Sequence, residues 1–144
     1  MPVVEKSALV RHSAADMYRL VIEVEHYQDF LPWCCESRLL SRTETEVCGE
    51  LTVCNLGIRQ TFSTCNDLIE NQRVGIQLRK GPFRKLEGAW TFTELGEKAC
   101  KVELRLEFEF AGRLIDMAFG AFFGQIANTL VDSFCKRADE VYGD

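Results

Sequence analysis

A chain of 144 residues with a formal charge of −5, 47% hydrophobic and 27% charged residues and ten phenylalanines has the make-up of a single folded domain, 1–144, with a real core. That balance excludes a disordered or low-complexity chain, and the acidic surplus excludes a protein whose whole surface binds nucleic acid. Arg113 and Asp116 break the Leu114–Phe123 apolar run, so no stretch reaches the roughly 18 uninterrupted apolar residues expected of a membrane-spanning helix.

The N-terminus, Met1 to Lys6, lacks the basic-then-apolar order of a secretion signal. Val3 to Arg11 is expected to be a first strand. Ser13 and Asp16 then resemble a capping box, with Met17, Leu20, Val21 and Val24 at helical spacing behind it, which predicts a helix to about Glu25. His26 to Phe30 reads as a short second helix stopped by Leu31-Pro32. Six strands follow, over Glu36–Arg42, Glu46–Asn55, Arg59–Glu70, Arg73–Lys80, Phe83–Leu95 and Lys98–Phe110. Their breaks lie at Thr43–Thr45, Leu56-Gly57, Asn71-Gln72, Gly81-Pro82 and Gly96-Glu97. Breaks this short leave no room for crossovers, so neighbouring strands are expected to be antiparallel hairpins.

The last strand has the clearest parity. Cys100, Val102, Leu104, Leu106, Phe108 and Phe110 share one face, and Lys101, Glu103, Arg105, Glu107 and Glu109 the other. From Gly112 to Tyr142 the period becomes helical, with Ile115, Phe119, Phe122, Ile126, Leu130, Phe134, Ala138 and Val141 on one stripe. Such a helix spans roughly 45 Å at 1.5 Å per residue, enough to cross a sheet that curls around it. Its first half is apolar on nearly every side, which fits either a cavity wall or a partner surface. Gly120 and Gly124 inside it point to a bend or a close approach.

Chemical signals are sparse. Seven cysteines form no Cys-x-x-Cys, and only Cys34 and Cys35 are neighbours; this predicts free, reduced thiols in a cytosolic protein. His12 and His26 share no metal-type spacing, and no nucleophile elbow, phosphate loop or dinucleotide fingerprint occurs. His26 beside Cys34 or Cys35 is a remote nucleophile–base pair. Between Arg79 and Lys85 the basic residues Arg79, Lys80, Arg84 and Lys85 flank Gly81-Pro82, either as a solvated hairpin tip or as a contact for an anionic partner, phosphate or headgroup. The inward parity of the late strands and the helix supplies many aromatic side chains, which either fill a solid core or line a ligand pocket.

Three stretches then carry a resemblance over essentially the whole chain. They are Met17 to Val21 running into Tyr27-Gln28-Asp29-Phe30-Leu31-Pro32-Trp33-Cys34, Gly81 to Leu86 leading to Gly88-Ala89-Trp90-Thr91-Phe92, and Phe108 through Leu114-Ile115 and Ala118-Phe119-Gly120 to Arg137–Tyr142. The chain resembles the START-like family (polyketide cyclase/dehydrase and lipid transport) that holds bacterial ribosome-association toxins and mitochondrial coenzyme Q-binding proteins. The resemblance implies an α+β helix-grip fold, a curved antiparallel sheet of about seven strands around the C-terminal helix over an apolar tunnel. It implies ubiquinone or a similar isoprenoid lipid in that tunnel, in support of respiration, with no cofactor or metal required. For toxin members it also implies binding to the large ribosomal subunit that blocks subunit association, with an antitoxin protein as a further partner. Carried onto this chain, the tunnel is lined by Phe30, Leu31, Phe62, Trp90, Phe92, Phe108, Leu114, Met117 and Phe122. Arg79, Lys80, Arg84 and Lys85 meet the ribosome or a membrane surface, which places the protein in the cytoplasm, peripheral to the inner membrane in the carrier reading. The alternative is a cyclase-type enzyme on an aromatic or polyketide substrate, which needs acid–base groups inside the tunnel; Glu36, Arg38, Asn66 and Gln77 are the inward candidates.

Overall fold

The computed structural model describes residues 3–55 and 57–143. Met1, Pro2, Leu56 and Asp144 lie outside them, so of the expected Leu56-Gly57 break only Gly57, at φ 83°, is described. Seven strands form the sheet: β1 (Val3–Val10), β2 (Cys34–Arg42), β3 (Glu46–Asn55), β4 (Ile58–Ile69), β5 (Arg73–Lys80), β6 (Phe83–Gly96) and β7 (Ala99–Phe110). Two α-helices, α1 (Ala14–Ile22) and α2 (Arg113–Tyr142), and a 3-10 turn over Val24–Asp29 complete the chain. The sheet order is β1-β7-β6-β5-β4-β3-β2 with every pair antiparallel. The meander from β2 to β7 is therefore the expected one, and β1 closes on β7 from the other end of the chain. This is the α+β helix-grip arrangement, a curved sheet with a long C-terminal helix.

Local chemistry explains the connections. The Ser13 hydroxyl accepts the Asp16 N–H at 3.1 Å and starts α1. The helix stops at Ile22, earlier than its periodicity predicts, because the next residues are claimed elsewhere. The Tyr27 hydroxyl donates to the Val21 carbonyl at 2.5 Å, and the Ser37 hydroxyl donates to the Glu25 carbonyl at 3.1 Å while accepting the Gln28 N–H at 3.1 Å. These bonds draw the 3-10 turn onto β2.

The six predicted inward residues of β7 are all buried, and they alternate with exposed or half-buried charges. The α2 stripe differs from its expected course. Phe119, Ile126, Phe134 and Ala138 are buried as expected, but Phe123, Ala127 and Val131 join them, whereas Ile115, Phe122 and Leu130 are half-buried and Val141 is exposed. An apolar circumference gives periodicity nothing to choose between; the choice is made by Phe123, which packs into Phe62, Phe83, Phe108 and Phe110 at centroid distances of 6.2, 5.1, 4.9 and 5.7 Å. Nor do the helix glycines serve a close approach: a methyl group on Gly124 would meet nothing within 4 Å, and one on Gly120 would meet only the Asp116 side chain. By length and composition α2 could cross a bilayer, against the expectation of no spanning segment, but here its seam is buried against the sheet.

The thiols need a larger correction. Cys35 is bonded to Cys54 and Cys48 to Cys65, leaving Cys34, Cys100 and Cys135 free. The reason is register. Cys48 lies directly across from Cys65 in the β3–β4 ladder, with Cα atoms 4.1 Å apart, and the irregularity between Cys34 and Glu36 brings Cys35 within 6.0 Å of the Cys54 Cα. Linear spacing carries no trace of such cross-strand neighbours. Both bridges anchor β3, one to each flanking strand.

Candidate functional site

Between the concave sheet and α2 two aromatic groups face each other. One centres on Phe123; the other centres on Phe134, which meets Tyr27, Phe30 and Trp90 at 5.2, 5.1 and 5.0 Å. A cavity of about 90 Å³ lies between them. The 3-10 turn and the segment before β2 contribute Val24, Tyr27 and Trp33, and β3 contributes Gly49 and Leu51. Strand β4 adds Phe62, Thr64 and Asn66, the later strands add Ile76, Leu86, Trp90 and Leu106, and α2 adds Phe123, Ile126, Leu130 and Phe134. With a water occupying about 30 Å³, the space holds about three waters. It is a small chamber in a largely filled core, where the resemblance implied a tunnel.

Of the nine residues assigned to that tunnel, Phe62 and Trp90 line the cavity. Leu31, Phe92 and Phe108 are buried in the core beside it; Phe92 packs edge-on to Tyr18 at 6.1 Å and Phe108 edge-on to Phe123. Phe30 lies under the Arg137 guanidinium at 5.2 Å and edge-on to Phe134. Phe122 is half-buried against Phe119. Leu114 and Met117 are corrected outright: they are 82% and 76% exposed on the outer side of α2, because the helix turns its Phe119–Phe123 edge inward. The sequence reading missed Tyr27, Trp33, Thr64 and Leu130 as lining residues. Thr64 was recoverable, since it shares the parity of Phe62 and Asn66 in β4; Trp33 precedes β2 and belongs to no periodic pattern.

Polar groups on this wall are few. Among the four inward candidates for acid–base chemistry, Asn66 alone reaches the cavity, and it is buried. Glu36 and Arg38 lie on the outer side of the sheet, near Arg59 at 4.0 Å and Glu50 at 3.6 Å. Gln77 lines a separate outer groove with Asp67, Arg73 and Arg105. A bulge in β2 and the even–odd alternation of β5 turn these three away. The Tyr27 hydroxyl is committed to Val21, and burial, followed by the nearby Cys34 and Glu25, drives its pKa far above the ordinary phenol value. The His26–cysteine pair does not form: His26 partners Asp29 at 3.2 Å, the Cys34 thiol donates to the Glu36 carbonyl, and Cys35 is in a bridge.

The basic hairpin is only half free. Arg84 donates to Glu109 at 3.1 Å, and the Lys85 ammonium reaches Glu107 at 2.9 Å and Glu87 at 3.1 Å. Glu107 and then Glu87 hold the Lys85 pKa up, and Lys85 and then Arg105 hold the Glu107 carboxyl below its ordinary range. Among the described residues Arg79 and Lys80 have no carboxylate partner. The outward field at this tip therefore comes from those two.

The sequence profile described as polyketide cyclase / dehydrase and lipid transport matches residues 10–135. A protein of Vibrio cholerae named ribosome association toxin RatA is 44% identical over 144 residues, which is all of both chains. The mitochondrial coenzyme Q-binding protein COQ10 homolog B of Xenopus laevis is 28% identical over 142 residues, covering 96% of this chain and 58% of that protein. In three dimensions the fold is similar to a START superfamily protein of Mycobacterium smegmatis, with a TM-score of 0.79, 21% identity and 96% and 98% of the two chains covered. It is also similar to the Zhui aromatase/cyclase of a Streptomyces species, at 0.81 and 16% over 96% and 93% of the chains. The chain belongs to the polyketide cyclase/dehydrase and lipid transport family, in the group of the ribosome association toxins.

Proposed function

We propose that this protein is a non-catalytic binding protein that carries an apolar, ring-bearing ligand and associates with the ribosome. The observation that carries the first half is the cavity wall, where Tyr27, Trp33, Phe62, Trp90, Phe123 and Phe134 converge and no carboxylate, imidazole or amine is among the lining residues. Flat faces favour a ring, and an apolar wall favours a neutral one. A cyclase needs positioned acid–base groups, and the single phenol here is tied to a backbone carbonyl, so the likeness to an aromatase/cyclase supports the fold and not its chemistry. Ubiquinone or a related isoprenoid is the candidate ligand, supported by the coenzyme Q-binding name of the Xenopus relative. Each buried tail methylene contributes about 0.8 kcal/mol, but the cavity of about 90 Å³ is smaller than the roughly 150 Å³ of a cavity that holds benzene, so ring and tail bind only as the lining side chains move. No cofactor is required by this reading.

The second half is supported by full-length likeness to a protein named for ribosome association. The expected contact is the large subunit, with block of subunit joining as the consequence and an antitoxin as a further partner. Exposed Arg79 and Lys80 supply the cations for ribosomal RNA, and Arg84 and Lys85 contribute once their carboxylate pairs open. Sucrose-gradient sedimentation tests it. The wild type is expected to comigrate with large subunits, and binding to weaken steeply with salt. Arg79→Glu with Lys80→Glu should remove most of the binding and reduce the salt slope by about 2, one per lost phosphate contact. Comigration of the double variant at wild-type strength would move the contact elsewhere, and a wild type that never comigrates would end the ribosome reading.

A further inference from the structure

The cavity contains one feature that neither an apolar carrier nor a filled core explains. Asn66 on β4, opposite Val47 of β3, is 6% exposed and points its side chain into the cavity. Its Oδ1 is the one buried side-chain oxygen or nitrogen among the described residues that has no hydrogen-bond partner. Buried polar atoms are nearly always satisfied, because leaving one unmade forfeits its hydration without return. An amide oxygen can only accept, so whatever completes this site brings an O–H or N–H.

We infer that the cavity takes a neutral hydroxylated ring, a phenol or hydroquinone head, with its hydroxyl donated to Asn66 Oδ1. The aromatic wall selects the ring, and the absence of charged lining residues selects neutrality. The unmet acceptor selects the donor. A quinone's carbonyls, themselves acceptors, do not satisfy Asn66 Oδ1. The Tyr27 hydroxyl does not compete, since it is spent on Val21. A cavity of about 90 Å³ admits a ring only as lining side chains rotate, and the half-buried Trp33, Leu51, Ile76 and Leu130 are the least confined apolar ones.

This inference rests on the ligand-carrying half of the reading above, and the test separates the two. Phenol and toluene, of similar shape but differing in the donor, are titrated at millimolar concentrations into wild type and Asn66→Leu, read by the fluorescence of the cavity tryptophans. The phenol-to-toluene affinity ratio is expected to fall about five- to tenfold in the variant, the worth of one hydrogen bond. An unchanged ratio with both compounds bound overturns the inference, leaves the carrier reading standing and assigns Asn66 to a trapped water. Binding of neither compound by the wild type ends both. Should Asn66→Leu fail to fold, a crystal structure of the wild type with phenol decides. The phenol oxygen is expected about 2.7–2.8 Å from Asn66 Oδ1, and a phenol turned away from Asn66 overturns the proposal.

Discussion

Cysteine chemistry here is decided residue by residue. Burial pushes the Cys34 and Cys100 thiols up to about 11, and burial followed by Asp132 and Asp139 does the same for Cys135. At pH 8 almost no thiolate is present, so the native protein should be inert to thiol reagents. Unfolded without reductant it should show three reactive thiols; with reductant, seven, and a lower denaturation midpoint. Bridges closing 19 and 17 residues contribute about 3 kcal/mol each on a chain-entropy basis. A count of seven without reductant would remove the bridges. The raised thiols also set an alkaline limit. An unfolded chain releases these protons near their ordinary value of 9.0 while the folded one holds them to about 11. Their contribution to stability is therefore complete below about pH 9 and lost as the pH rises through 11, which urea titrations across that range would reveal.

At the scale of elements, two glycines with opposite surroundings make a matched test. In β6 a methyl group on Gly88 would run into the Arg105 carbonyl oxygen and lie 2.9 Å from the Leu106 Cα, backbone atoms of β7 that cannot move without breaking the ladder. Gly88→Ala should cost about 1–3 kcal/mol. In α2 a methyl group on Gly124 meets open space, so Gly124→Ala should stabilise by about 1 kcal/mol through helix propensity alone. Thermal or urea denaturation of the pair checks both signs; a destabilised Gly124→Ala would mean that α2 uses that position for bending after all. The same contrast shows what periodicity reads well. The parity of β7 and the Ser13 cap were legible because each is a property of a few consecutive residues. The rotation of α2 was not, because Phe122 and Phe123 are equally apolar and only the phenylalanines of β4, β6 and β7 distinguish them.

Across the whole molecule, α2 is the lid of the core. Its seam covers Trp90, Leu106 and Phe108, and at its far end Asp139 holds the buried His12 side chain at 2.7 Å, tying the helix to the segment after β1. A chain ending at Ala111 is expected to expose that concave face, bind a hydrophobic dye and lose its cooperative unfolding transition. A soluble fragment with a sharp transition would mean that the sheet stabilises itself. The outer side of α2 has the reverse character. Leu114 and Met117 stand in solvent there, which resolves the two meanings of an all-apolar half-helix: one side is the cavity wall and the other is open surface.

The strand meander, the inward face of β7, the cap of α1 and the family were all legible in the chain, because each is written in neighbouring residues or in motifs with fixed spacing. Tertiary structure alone decided the rest. Antiparallel register brought Cys48 to Cys65 and Cys35 to Cys54, and it set Glu107 and Glu109 beside Lys85 and Arg84. Packing, rather than pattern, reduced a tunnel to about 90 Å³ and left Asn66 Oδ1 without a partner. Cross-strand neighbours lie many residues apart along the chain, and cavity volume is the small remainder of many packed side chains, so neither quantity has a local signature to read.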